Sequence, residues 1–160
     1  MQSESFSISD IEQFASRFYG GRPLLLTPYA YNQTFTTLTQ STSQTANVNI
    51  TANADFILLG FHHRAVVDTA VIQTASSKMT PYVRMLVTDS GTNEQFTNSA
   101  IDLENYSTNA NIINLLDYPR IISGRSTIQI QVSNYATAAT GTLAILDITL
   151  MGVLVRAYAK

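Results

Sequence analysis

The chain has 160 residues, 12% of them charged, a formal net charge of −2 and no cysteine, with a pI near 5.5. That length suits one domain with a real core. The absence of cysteine excludes disulfides and thiolate metal sites, and scattered arginines on a mildly acidic chain leave no electrostatic footprint for nucleic acid.

In place of ions the chain carries 20 Thr, 15 Ser, 11 Asn and 9 Gln. Such a surface hydrogen-bonds without charge, and the branched Cβ of Thr suits a pleated strand. No secretory h-region follows Met1, and no apolar run reaches the ~18 residues of a membrane span. The triplets at Asn32, Asn49 and Asn105 therefore read as chance matches to a glycosylation acceptor.

Residues 1–23 read as a helix or arm ahead of a body spanning 24–160. Ser7 or Ser9 can cap the helix, with Asp10 and Glu12 in its first turn, where the positive helix end favours carboxylates. Ile8, Ile11, Phe14, Ala15 and Phe18 fall on one face, and Gly20-Gly21 followed by Pro23 stop the helix. That face packs either on its own domain or on a neighbouring subunit, since exposed phenylalanines on an arm call for a cover.

Leu24 to Thr27 and Tyr29 to Thr39 read as extended, with Tyr29, Tyr31, Gln33 and Phe35 on one side. Thr39 to Thr45 reads as a loop. Alternation returns at Ala46 to Asn53, where Ala46, Val48, Ile50 and Ala52 face inward. Phe56 to His63 is a second strand, apolar on both faces at its start, as expected near a sheet centre. Ala65 to Thr74 reads as a further strand and Ala75 to Thr80 as a loop. In Pro81 to Thr88, Val83, Met85 and Val87 oppose Tyr82, Arg84 and Leu86. Asp89-Ser90-Gly91-Thr92 is a turn, with Gln95 to Asn98 as the returning hairpin partner. Residues 99–116 sustain neither period and read as loop with one short strand or turn of helix.

Asp117 to Asn134 is the clearest stretch. Pro119 keeps Tyr118 extended, Ser123-Gly124-Arg125 is a break, and Ile128, Ile130 and Val132 then alternate with Thr127, Gln129, Gln131 and Ser133. The last element, Gly141 to Tyr158, is apolar on both faces. Ala144, Leu146, Ile148, Leu150 and Leu154 line one, and Leu143, Ile145, Met151, Val153 and Val155 most of the other. Gly152 marks a bulge or bend in it. Many short strands with turns between them predict an all-β fold, an antiparallel sandwich of jelly-roll form.

Few residues invite chemistry. His62 and His63 are strand neighbours and point to opposite faces, so they do not share a metal. Asp147 lies in the apolar last strand and calls for an arginine partner such as Arg84, Arg120 or Arg125, or for a place at a subunit contact. Asp102 and Glu104 form an i, i+2 carboxylate pair without further catalytic context. Tyr29, Tyr31, Phe35, Tyr82, Tyr106 and Tyr135 suit a core, a protein contact or a sugar-stacking platform. No nucleophile elbow or glycine-rich phosphate loop occurs. The expectation is a protein that is not an enzyme, with no catalytic, cofactor or metal site and no small-molecule substrate.

Tyr118-Pro-Arg-Ile-Ile-Ser-Gly-Arg-Ser-Thr-Ile-Gln-Ile-Gln-Val-Ser-Asn134, followed by the closing strand Leu143 to Val155, resembles the small β-sandwich virion proteins of tailed bacteriophages. These include capsid decoration, or cement, proteins and head or tail accessory subunits. The resemblance implies a structural, non-enzymatic role in a virion assembled in the host cytoplasm. It implies binding to the major capsid protein or other virion subunits, as a homo-oligomer (trimer or dimer), without nucleic acid or membrane. The residues expected to make those contacts are Ile11, Phe14, Phe18, Tyr29, Tyr31, Tyr118, Pro119 and Arg120. A head–tail connector, tail or baseplate subunit is the alternative of the same kind, and a carbohydrate-binding sandwich the alternative of another.

Overall fold

The structure, a computed structural model, describes residues 7–67, 82–108, 114–137 and 141–158. It begins with α1 (Ile8–Phe18). Ser7 closes a capping box with Asp10, and the helix stops before Gly20 and Gly21, which take φ of 69° and 72°. Only glycine enters that left-handed region without a Cβ penalty.

The remaining elements are β1 (Leu24–Leu38), β2 (Ser43–Asn49), β3 (Asp55–Val67), β4 (Val83–Asp89), β5 (Glu94–Gln95), β6 (Ile101–Asp102), α2 (Leu103–Tyr106), β7 (Ser107–Thr108), β8 (Asn114–Ile122), β9 (Thr127–Asn134) and β10 (Leu143–Ala157). The fold is all-β, as the alternation predicts. One sheet runs β1-β10-β3, with β8 and β7 sharing the far side of β3; the other runs β2-β9-β4, with β5 and β6 beyond. One set of antiparallel partners nests. β1 pairs with β10, β2 with β9, β3 with β8 and β4 with β5.

The core lies between the sheets, where Phe56, Phe61, Met85, Ile128, Ile130, Leu146 and Ile148 are fully buried. A second, smaller cluster lies on the outer face of the first sheet. Ala15 of α1 packs there on Ile57 and Val155, with Phe14, Tyr19, Leu24, Leu26, Leu59 and Ile121 around them. The helix thus packs on its own domain. Tyr19 Oη donates to Asp55 Oδ2 at 2.6 Å, and Asp55 Oδ1 accepts from the Gly124 amide at 2.8 Å. This carboxylate ties the end of the helix to the β8–β9 turn. Burial, aided by Asp55, pushes the Tyr19 phenol above its ordinary pKa.

Several expectations need correction. The extended segments at Leu24 and Tyr29 are one strand, because Pro28 sits on a sheet edge where its missing N–H costs no ladder bond. β2 starts at Ser43, inside the expected loop, and ends at Asn49, so Ala52 is exposed in a turn rather than inward. Residues 65–67 continue β3; the rest of the strand expected to Thr74, the loop at 75–80 and residues 109–113 of the stretch 99–116 lie outside the described residues. The extended stretch before Ser123 is a strand, β8, paired with β3.

In β10 the register slips at Gly152, yet the extra residue is Leu59 on β3, since Met151 pairs with Gly60 and Gly152 with Leu58. Inward facing therefore passes from Phe56 and Leu58 to Phe61 and His63. A second slip leaves Ala144 unpaired against β3, so Leu143 joins Leu146 in the core and not the opposite row. Asp147 is half-buried on the outer face rather than enclosed, and its carboxylate accepts from Thr34 Oγ1 at 2.5 Å rather than pairing with Arg84, Arg120 or Arg125.

Candidate functional site

Where β8, α1 and the β4–β5 hairpin meet, an open cleft of about 340 Å³ forms. Its walls are Phe14, Phe18, Phe96, Tyr118, Pro119, Ile121 and Ile122, with Asp89, Thr92, Glu94 and Arg120 supplying the polar rim. Helical spacing brings Phe14 and Phe18 to the same side of α1. Phe14 meets the Tyr118 ring edge-on, centroids 5.4 Å apart. Arg120 is held in place from below and beside. Its guanidinium stacks 4.2 Å from the Phe96 ring centroid, and Nη2 lies 3.4 Å from Glu94 Oε1. The Asp89 carboxylate accepts from the Gly91 amide at 2.8 Å, which fixes the hairpin turn.

Five residues predicted to make contacts thus converge: Phe14, Phe18, Tyr118, Pro119 and Arg120. Phe18 is 61% exposed and Tyr118 71% exposed, whereas Pro119 is buried. Ile11 is half-buried on α1 outside the cleft lining. Tyr29 and Tyr31 are elsewhere, on β1, with their rings 4.8 Å apart. Tyr31 turns into the sandwich against Phe56 and takes the Thr51 amide on its hydroxyl at 3.1 Å. Glu94, Phe96 and Thr92 escaped sequence reasoning, because a two-residue strand carries no period.

The second surface is the outer face of the β2-β9-β4 sheet. Register aligns its side chains in rows: Ser43, Ser133 and Arg84; Thr45, Gln131 and Leu86; Asn47, Gln129 and Thr88; Asn49 and Thr127. Among the described residues of these three strands Arg84 is the single charge on that face, and Asp102 of β6, aligned beside it, pairs with it at 3.5 Å. Ser43 and Ser133 bond through their hydroxyls at 2.7 Å, and Thr127 donates to Asn49 at 3.0 Å. The alternation in β2 and β9 marked these residues as outward; only pairing shows that they form one continuous field.

The other chemistry-bearing residues stay apart. His63 is buried and His62 half-buried on the opposite face. Burial, then His62, lowers the His63 pKa to about 4 against a smaller opposing pull from Glu104, so the ring is neutral at pH 7. Asp102 and Glu104 are both exposed, on β6 and α2. Tyr82 and Tyr135 form an edge-on pair beside Arg84, while Tyr106 is buried against Phe61, so the tyrosines make no common platform. Among the described residues, no group of three or more His, Asp or Glu side chains converges as metal ligands would.

With apolar walls, a fixed cation and a phenol, the cleft can take an apolar side chain of a partner and bond its backbone at the rim. The neutral field can add many weak, orientation-dependent hydrogen bonds. No protein-family model matches this sequence, and no curated protein matches it.

Proposed function

We propose that this chain is a non-enzymatic structural subunit of a tailed-bacteriophage virion, a capsid decoration protein that seats on the shell of the major capsid protein. The observation that carries the reading is the neutral field on the β2-β9-β4 sheet. A solvated sheet face normally carries Lys and Glu among its outward residues, which keep it from adhering. On β2, β9 and β4 the outward rows are Ser, Thr, Asn, Gln and one Leu, with one arginine that is ion-paired to Asp102 of β6 at one margin. Such contacts are individually weak and depend little on salt. Repeated over a symmetric lattice, they add up through multivalency. The aromatic cleft supplies the apolar anchor that a neutral field lacks.

The nested pairing of β1 with β10, β2 with β9, β3 with β8 and β4 with β5 is what a rolled-up long hairpin requires, and it supports the jelly-roll form. The resemblance at Tyr118–Asn134 points the same way.

Cosedimentation tests the reading. Purified chain is mixed with phage shells that lack it, and particles from the same phage are analysed by mass spectrometry. The chain is expected in the particles and on the shells, with binding reduced at least ~10-fold by Phe18→Ser with Tyr118→Ser. Binding to isolated necks or tails in place of shells would move the subunit along the virion. Absence from the particles would end the proposal.

A further inference from the structure

The two edge strands on one side of the sandwich are treated differently by this chain. From Pro23 to Ala54 the sequence holds no charged residue, so neither β1 nor β2 carries the lysines that commonly guard an edge. β1 is guarded in part by other means. The Tyr158 amide bonds the Pro23 carbonyl, and Leu24 opposes Ala157. Leu24 and every second residue after it therefore point their backbone groups away from β10. Pro28 belongs to that set and offers no donor. The outward carbonyl of Thr36 is taken by Gln44 Nε2 at 3.0 Å, and that of Thr34 by Gln33 Nε2 at 3.0 Å.

Among the described residues β2 has no such cover. The Asn134 amide bonds the Thr42 carbonyl and the Ile50 amide bonds the Ser126 carbonyl, while Ser43 opposes Ser133 and Asn49 opposes Thr127. The outward set on β2 is thus Ser43, Thr45, Asn47 and Asn49. All four have an N–H, none is proline, and β2 pairs only with β9 among the described residues.

We propose that β2 is the pairing edge for a second copy of this chain, joined antiparallel about a two-fold axis at Ala46. In that register Ser43 opposes Asn49 of the second copy and Thr45 opposes its Asn47. Each outward N–H then meets an outward carbonyl. Ala46 meets its own mate across the axis, where the narrow, non-hydrogen-bonded pairing favours a small side chain. No like charges are brought together. The neutral field becomes continuous across both copies, which is the isologous arrangement a two-fold dimer requires. The inference stands on the edge geometry and does not need the virion reading; purified chain alone tests it.

Sedimentation velocity across a concentration series should show a monomer–dimer equilibrium. Hydrogen exchange should slow at the amides of Thr45 and Asn47 as dimer forms, because those amides have no bond to β9. Asn47→Pro deletes an outward donor, and its mate, while leaving the β9 ladder untouched, and should raise the dissociation constant ~10-fold or more. Thr45→Lys with Asn47→Lys sets lysines opposite one another and should abolish the dimer, whereas Asn32→Lys on the guarded β1 edge should leave it intact. Monomer at every concentration, with fast exchange at Thr45 and Asn47, overturns the proposal. So does an oligomer indifferent to the β2 variants, or one dissolved by Asn32→Lys. If the variants fail to fold, exchange in the unaltered chain still decides it.

Discussion

Gly152→Ala adds one methyl group, and elementary propensity says it should help. Alanine costs less backbone entropy on folding than glycine, worth about 0.5–1 kcal/mol where the conformation allows it. Gly152 lies outside the left-handed region, so no backbone strain opposes the change. The surroundings do. A Cβ there would overlap the Ile57 carbonyl oxygen and lie 2.6 and 2.8 Å from Cζ and Cε2 of Phe56. The Phe56 ring is fully buried, and the Ile57 carbonyl is part of β3 itself. Overpacking a core that can yield costs about 1–3 kcal/mol; with a backbone oxygen in the way, about 3 kcal/mol is the expected minimum. For a chain of this size each kcal/mol moves the melting temperature about 2–4 °C, so a fall of about 6–12 °C is expected by calorimetry or far-UV circular dichroism. Phe56→Leu removes the ring overlap but leaves the carbonyl, so the double variant should remain less stable than Phe56→Leu alone. Gly20→Ala is the contrast, since open space surrounds it and only its φ of +69° opposes the change, at about 1 kcal/mol. A melting temperature that is unchanged or raised in Gly152→Ala would show that β3 and β10 do not approach as described.

Tyr19→Phe removes the hydroxyl that binds Asp55; a loss of about 1–2 kcal/mol, or 2–8 °C in melting temperature, is expected, and an unchanged melt would mean the helix is not held by this bond. Asn134 is buried and donates to the carbonyls of Leu38 at 3.0 Å and Gly141 at 2.6 Å. Asn134→Asp turns a carboxylate on both oxygens and should cost on the order of 3–5 kcal/mol at pH 7; it should exceed the cost of Asn134→Ala in urea unfolding, and the reverse order would discredit the assigned bonds. His63 titrates near 4 in the folded chain against 6.5 ordinarily, so the unfolded chain takes the proton first. Its contribution is complete above pH 6.5 and is lost as pH falls towards 4, on the order of 3 kcal/mol in all. His63→Gln should flatten that part of the stability profile, and an identical slope would place the ring in water.

The outward rows on β2, β4 and β9 were legible because a strand writes its two faces into alternate residues. Helix α1 was legible for a similar reason: Ser7, Asp10 and the glycine pair act on neighbours a few residues away. Their meeting places were not. Phe14 reaches Tyr118, Thr34 reaches Asp147, and Phe96 lies under Arg120 only because strands far apart in the chain pair in one register. The slips at Leu59 and Ala144 are also set by pairing, since an unpaired residue is extra only relative to its neighbour strand. Edge status has the same origin. β1 and β2 share an uncharged composition, and only the ladder directions tell which backbone groups face outward and which of them Pro28, Gln33 and Gln44 already cover. Local sequence determined the strands, their wet and dry faces, and the capped helix. Long-range pairing, whose closure entropy no short window of residues records, decided the cleft, the neutral field and the open edge.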